Sequence, residues 1–195
     1  MQPLIDHARA FGRNPERFAP HAAGQSPHTL FISCSDSRVV PSLITGARPG
    51  ELFELRTAGN IVPPPADGHP TSEAATIEYA VDILGVRDIV VCGHSHCGAV
   101  GALVRGDDLT AVPAVRDWLA HAARPPAPGD TDPDDPEVAH AVQQHIRTQL
   151  RRLRSHPCVS RRLATGRLRL HGWYYEVHTG AVHAHRDGTD AFTAL

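Results

Sequence analysis

The sequence predicts a single α/β domain with a mostly parallel β-sheet flanked by helices, and three observations carry that expectation. Two apolar, strand-like runs, Leu30–Ser33 and Ile89–Cys92, bracket a clear helical stretch, the order that a βαβ unit and a parallel sheet require. With 195 residues the chain can bury one sizeable core and has no room for a second of ordinary size, so residues 1–195 read as one domain. A hydrophobic content of 41% against 21% charged residues supplies that core and leaves enough charge to solvate the outer helix faces.

Taken in order, residues 1–29 form an N-terminal arm with two weak helical patches, Leu4–Phe11 and Pro15–Ala22, ended by a Gly24-Gln25-Ser26-Pro27 turn. The arm has too few apolar positions for a core of its own, so it is expected to pack on another subunit. Leu30–Ser33 is a short buried strand, Pro41–Thr45 a short helix and Gly50–Arg56 a second strand. Pro63, Pro64, Pro65, Gly68 and Pro70 exclude a regular helix from the stretch between Asn60 and Pro70, which reads as an exposed loop. Thr71–Leu84 is the clearest helix. Ser72 is its expected N-cap, Glu73 sits in its first turn, Ala75, Tyr79 and Ile83 share a face, and Gly85 follows its end. Ile89–Cys92 is an apolar strand; Gly98–Val104 and Val112–Ala123 are helices; residues 124–136, rich in Pro, Asp and Gly, are a connector. Val138–Leu153 is a long helix, and the arginines between Arg147 and Arg169 form a solvated face. Leu168–His171, Trp173–His178 and Val182–Ala184 have strand character around a Thr179-Gly180 turn.

Charge and cysteine usage narrow the function classes. A formal net charge of −2 gives no basis for nucleic-acid or membrane binding. No stretch approaches the roughly 18 apolar residues of a membrane span, and the N-terminus lacks a signal-peptide pattern. A cytoplasmic location is therefore expected, where thiols stay reduced and a Cys/His cluster points to metal or catalysis and not to disulfides. The fourteen histidines form no tag-like run, and most read as surface residues.

The chemistry concentrates in two patches, Cys34-Ser35-Asp36-Ser37-Arg38 and His94-Ser95-His96-Cys97, each directly after an apolar strand. Ligand crevices of open α/β sheets lie at the carboxyl ends of strands, so the two patches can meet there. Cys34, His94 and Cys97 offer two thiolates and an imidazole, a donor set that suits zinc and leaves a fourth place for water or substrate. Asp36 and Arg38, two apart, can share a face of an extended segment. They read either as a surface ion pair or as a switch, in which Arg38 competes with zinc for the Asp36 carboxylate. Zinc acidifies bound water from about 15.7 toward roughly 7. Two thiolate donors moderate that effect and place the working range at mildly alkaline pH.

These residues resemble those of the β-class carbonic anhydrases. The likeness runs through Cys34-x-Asp36-x-Arg38, Pro49-Gly50, Arg56-Thr57-Ala58-Gly59-Asn60, Ile77-Glu78-Tyr79-Ala80 and Gly93-His94-Ser95-x-Cys97-Gly98, and returns in Leu170-His171-Gly172-Trp173-Tyr174-Tyr175 and Thr179-Gly180. The resemblance implies reversible hydration of CO2 to bicarbonate and a proton. It implies one Zn2+ per subunit on Cys34, His94 and Cys97, with Asp36 as a fourth ligand in a closed state only. Asp36 and Arg38 would be the catalytic dyad, with Tyr79, Gly59 and Gly98 bordering the substrate pocket. It also implies a homodimer or dimer of dimers embraced by the N-terminal helices. Tyr79 has an alternative reading as a core residue of its helix.

Three departures from the family pattern stand out: Arg48 where the plant-like branch has glutamine, Thr57 for asparagine, and Phe31 where the allosteric bicarbonate-binding branch has tryptophan. The last favours a constitutively open zinc site. His96 reads as a proton relay or a solvent-facing residue, with His69 a weaker relay candidate, and Cys92 and Cys158 read as structural. Two rival functions share the site: hydrolysis of a CO2 isostere such as COS or CS2, and a non-catalytic zinc-binding regulatory module. An intact Asp36–Arg38 pair speaks against the module.

Overall fold

Strands buried on both faces need apolar side chains throughout, and the Leu30-Phe31-Ile32 run meets that demand. In the computed structural model, which describes residues 1–65, 70–122 and 138–195, the run lies in an interior strand of a six-stranded sheet, one in from its edge. The expected 124–136 connector, Ala123 and His69 lie outside the described residues. The strands are β1 (Thr29–Cys34), β2 (Leu52–Thr57), β3 (Asp88–His94), β4 (Arg169–Tyr175), β5 (Val182–His185) and β6 (Phe192–Ala194). They are ordered β2-β1-β3-β4-β5-β6, the first four parallel and the last two antiparallel. All six residues of β1 are buried. Leu30, Ile32 and Cys34 face the main core, while Phe31 on the other side joins Val90, Cys92 and an edge-on Trp173 at 5.8 Å.

The helices among the described residues are α1 (Gln2–Phe11), α2 (Pro41–Thr45), α3 (Ser72–Glu78), α4 (Gly98–Arg105), α5 (Pro113–Leu119), α6 (Ala139–Ser155) and α7 (Pro157–Ala164). The long α6 buries Ala141, Val142, Ile146, Leu150 and Leu153 against β3 and β4. It comes close because the strands present Gly93 and Gly172 beneath it. A Cβ at Gly93 would stand 2.6 Å from Val142 Cγ1, and one at Gly172 would stand 2.9 Å from Ile146 Cγ2. Pro157 cannot continue α6 but suits the first position of a helix, so the chain breaks at His156 and restarts as α7.

Several expectations need correction. Thr71, not Ser72, caps α3: its Oγ1 accepts from the Ala74 N–H at 3.2 Å. The helix buries Ile77, Ala80 and Val81, and not the Ala75/Tyr79/Ile83 stripe. The sequence carries two apolar stripes here, and the small and branched one fits the sheet. Beyond Glu78 the backbone widens into a π turn over Tyr79–Ile83, closed by Leu84 N–H to Tyr79 C=O at 2.9 Å, leaving Tyr79 45% and Ile83 69% exposed. The two strands expected around Gly172 are one continuous β4, because that glycine serves α6 packing and not a break. The segment Thr179-Gly180 turns as expected, with Gly180 at φ +79° and its N–H on Glu176 C=O at 2.8 Å. The second arm patch forms 3₁₀ turns over Pro15–Arg17 and Ala19–Ala23. In α1 no residue is buried, and Phe11 packs only locally on Phe18, ring centres 4.8 Å apart.

The Gly93 contact is directly testable. Gly93→Ala forces a methyl into Val142 and Ile146, and overpacking of this kind costs about 1–3 kcal/mol. Urea denaturation is expected to show that loss; a wild-type midpoint would mean that α6 moves aside freely.

Candidate metal centre

Parallel pairing carries the first two donors to neighbouring strand ends. Ser33 pairs with Cys92, so Cys34 closes β1 and His94 closes β3 on the same side of the sheet. The turn after His94 then delivers Cys97 at the start of α4, where its carbonyl accepts from Gly101 N–H at 2.8 Å. The donor atoms of Cys34, His94 and Cys97 lie within 4.8 Å of one another, and all three residues are buried.

The protonation pattern fits a cation. His94 Nδ1 lies 2.8 Å from the Ser95 carbonyl, which makes Nδ1 the protonated nitrogen and leaves the Nε2 lone pair free. That Nε2 is buried without a hydrogen-bond partner among the described residues, and an orphaned buried imine nitrogen is costly unless something electrophilic meets it. Metal-bound histidines use their second nitrogen in the same way, on a backbone carbonyl. The hydrogen bond from Cys97 holds the Cys34 thiol far below its ordinary value, and the same bond pushes Cys97 up. The two sulfurs thus share a proton that a cation would replace, leaving both as thiolates. Cys34 Sγ also accepts from the Gly59 N–H at 3.3 Å. Two sulfurs and one nitrogen suit zinc, with a fourth position open.

Beside the cluster stands the Asp36–Arg38 pair. Arg38 Nε reaches Asp36 Oδ1 at 3.0 Å and Nη2 reaches Oδ2 at 2.7 Å, while the Arg38 backbone N–H adds a bond to Oδ1 at 2.9 Å. The Arg38 guanidinium holds the Asp36 carboxyl well below the usual carboxylate range, so it is ionised throughout neutral and alkaline pH. Asp36 Oδ2 lies 3.9 Å from His94 Nε2, at the edge of the cluster. Arg38 Nη2 also donates to the His96 carbonyl at 3.1 Å, tying the two patches together.

The other expected residues are placed unevenly. Gly59 adopts φ +74° in the turn after β2, its N–H on the ligand sulfur and its Cα facing Ala99, where a Cβ would sit 3.0 Å from the alanine methyl. Gly98 opens α4 with nothing within 4 Å of the place a Cβ would take. Tyr79 stands outside the cluster at the end of α3, against Phe53 on β2 at 5.8 Å between ring centres. His96 has φ +56° and meets the His178 ring edge-on at 5.7 Å. Cys92 is fully buried, and burial pushes its thiol up to about 12, as befits a small apolar residue. Cys158 is buried as well.

Sequence reasoning assigned no role to Arg56, which the structure makes the clamp of the ligand loop. Its guanidinium donates to the carbonyls of Cys34 (3.1 Å), Asp36 (2.9 Å) and Val39 (2.7 Å). Also missed were His145 and Gln149, buried on the apolar face of α6. The signal was available: two polar residues four apart within an otherwise apolar stripe.

A carbonic anhydrase family model matches residues 29–182. The carbonic anhydrase of Pseudomonas aeruginosa is 45% identical over 100% of this chain and 92% of its own length. Carbonic anhydrase 1 of Escherichia coli O157:H7 is 43% identical with the same coverage, 100% and 92%. Among solved structures, the β-carbonic anhydrase CcaA superposes with a TM-score of 0.87 at 38% identity, covering 100% of this chain and 99% of that one. A structure from work on two tetrameric β-carbonic anhydrases of Sordaria macrospora gives 0.78 at 28% identity, covering 94% and 95%. The matched segment runs from the first residue of β1 to the first of β5 and so encloses both donor-bearing strand ends: the chain belongs to the β-carbonic anhydrase family, whose reaction is the reversible hydration of CO2.

Proposed function

We propose that this chain interconverts CO2 with bicarbonate and a proton, holding one zinc per subunit on Cys34, His94 and Cys97 and controlling the fourth zinc position through Asp36 and Arg38. The single observation that carries the reading is the two-pronged Arg38–Asp36 contact standing beside a buried three-donor cluster. A purely structural site closes with four protein donors and has no use for a carboxylate held aside. Zinc, when bound, supplies a Lewis acid that lowers the pKa of water from about 15.7 toward roughly 7.

The remaining work falls to side chains of this chain. Arg38 keeps both Asp36 oxygens occupied, which favours the open arrangement and reserves the fourth position for water. Asp36, ionised and with Oδ2 3.9 Å from His94 Nε2, would accept a hydrogen bond from a water held there and orient it toward CO2. Arg56 fixes the loop that carries both Cys34 and Asp36, so ligand and carboxylate keep their spacing. Gly59, Gly98 and Tyr79 form the proposed pocket border, and closure corresponds to Asp36 leaving Arg38 for the metal. A homodimer or dimer of dimers is supported by the apolar side chains left outward on one chain, Leu4, Phe11, Tyr79 and Ile83. A cytoplasmic location is supported by four free cysteines, which a reducing compartment preserves. Among the described residues no helix is long and apolar enough to cross a membrane.

Stopped-flow CO2 hydration by the zinc-loaded protein is expected to rise with pH between about 6.5 and 9, the span set by a water whose pKa zinc brings toward roughly 7. Asp36 does not cause that rise. Its folded-state pKa is depressed, so its contribution to stability is complete above the unfolded value of about 3.9 and is lost only as pH falls below it. A flat background rate with zinc bound would favour the non-catalytic module.

Replacing Cys34, His94 or Cys97 by alanine is expected to abolish zinc retention in metal analysis. By contrast, Asp36→Ala and Arg38→Ala should retain zinc and lose about 10²- to 10⁴-fold in kcat, the usual worth of a positioned proton-handling group. Full CO2 hydration by Asp36→Ala would sink the dyad assignment. Light scattering of the eluting protein is expected to give at least a dimer, and a monomeric, fully active protein would contradict the assembly.

A further inference from the structure

On α6, His145 and Gln149 stand four residues apart, 2% and 0% exposed, among Ala141, Val142, Ile146, Leu150 and Leu153. Helix formation does not need them, and polar groups buried this deeply are costly unless their bonds are made. Here the bonds form a directed chain. Val62 N–H donates to Gln149 Oε1 at 2.9 Å, which fixes the orientation of the carboxamide. Gln149 Nε2 then faces His145 Nδ1 at 3.4 Å, so Nδ1 is the acceptor and Nε2 carries the proton. The His145 Nε2–H donates a hydrogen bond to the Gly59 carbonyl at 2.8 Å. Burial pushes His145 down to about 4, so the ring is neutral at working pH and donates through one nitrogen only.

The far end of the chain is a ligand sulfur. The Gly59 N–H donates to Cys34 Sγ at 3.3 Å, and the turn that aims it there uses two left-handed residues in succession. Gly59 sits at φ +74° and Asn60, a residue with a side chain, follows at φ +45°. Consecutive left-handed residues persist where the surroundings over-determine them. The carbonyl between these two residues is the one that His145 holds. We propose that His145, its tautomer set by Gln149, is a positioning residue for the zinc ligand Cys34, holding the Gly59 turn so that its N–H stays on the sulfur.

The consequence is electronic as well as geometric. A hydrogen bond to the thiolate draws density from it, weakens its donation to the metal and keeps the metal a stronger Lewis acid. Without the bond the sulfur becomes more electron-rich, and the alkaline limb of the rate profile moves to higher pH. This inference rests on the zinc reading above.

The test compares wild type, His145→Leu, His145→Gln and Gln149→Met as cobalt(II)-substituted and zinc proteins. The readouts are the thiolate-to-cobalt charge-transfer band, zinc affinity by chelator competition and the pH dependence of kcat. His145→Leu is expected to move the band to longer wavelength and shift the limb upward through the more electron-rich sulfur. It should also weaken zinc by about 10- to 100-fold because the released Gly59 turn no longer holds the donors in place, a geometric loss that outweighs the electronic gain. His145→Gln, whose amide nitrogen can stand where the imidazole Nε2 stood, should return all three toward wild type. A folded His145→Leu protein with the wild-type band and limb overturns the proposal, even if its melting temperature falls. So does a glutamine variant displaced as far as the leucine one. If His145→Leu does not fold, Gln149→Met decides, because a freed tautomer should shift band and limb in the same direction and unchanged values sink the idea. Failure of the wild type itself to bind cobalt or hydrate CO2 would instead defeat the functional reading, and it is seen before any variant is compared.

Discussion

Parallel strands end on the same side of a sheet, and in this molecule two adjacent strands end on Cys34 and His94, two of the three donors of the candidate metal centre. The Ser33–Cys92 register leaves Cys34 and His94 side by side at the carboxyl ends of β1 and β3. Everything functional follows from holding that register. A one-residue slip would turn Cys34 to the opposite face of the sheet, because successive side chains alternate. What prevents the slip is apolar burial on both faces: Leu30 and Ile32 on one side, Phe31 against Trp173 on the other. The core is therefore also the device that brings two donors from distant parts of the chain within bonding reach of one ion.

Around those strand ends the chain uses its arginines for two different tasks. Arg56 is spent on backbone carbonyls, three of them in the Cys34–Val39 loop, and so sets the loop's shape. Arg38 is spent on a carboxylate, in a fork that lysine could not reproduce. The difference follows from position. The Arg56 side chain comes up from β2 beneath the loop, whereas Arg38 lies within the loop beside the aspartate it holds. Charge balance also favours the arrangement. Two thiolates against a divalent cation leave little net charge, and Asp36 with Arg38 adds none.

How much of this was legible in the sequence depended on the kind of signal. Short apolar runs leading into Cys34 and His94 gave β1 and β3, because fully buried strands have little compositional freedom, and the two patches after them are the ones the fold brings together. Helix α2 was legible from its proline start. The face of α3 was misread since Ala75/Tyr79/Ile83 and Ile77/Ala80/Val81 are both apolar stripes, and only the sheet beneath decides between them. Gly172 looked like a break in a strand when its purpose is to admit α6. Strand β6, three residues long, has too short a pattern to be seen without β5 beside it. Arg56 escaped because its work is hydrogen bonding to backbone groups far away in sequence, while for His145 and Gln149 the spacing showed two polar residues in an apolar stripe but not the distant backbone groups they hold.

In the switch we propose, the Asp36–Arg38 contact is what would let the carboxylate change partners. Asp36 is ionised at every pH of interest, so its own proton cannot decide whether it sits on Arg38 or on the metal. The decision is a competition between partners. The Arg38 side chain is 50% exposed, and exposed ion pairs contribute only about 0–1 kcal/mol. Three hydrogen bonds, one from the backbone, raise the hold above that of a lone surface pair, yet solvent still reaches the guanidinium. A hold of that modest size keeps the carboxylate aside without locking it there. Both members of that pair ride on the loop between β1 and α2, and Arg56 shapes the loop through three backbone carbonyls without touching the side chains of Cys34, His94 or Cys97.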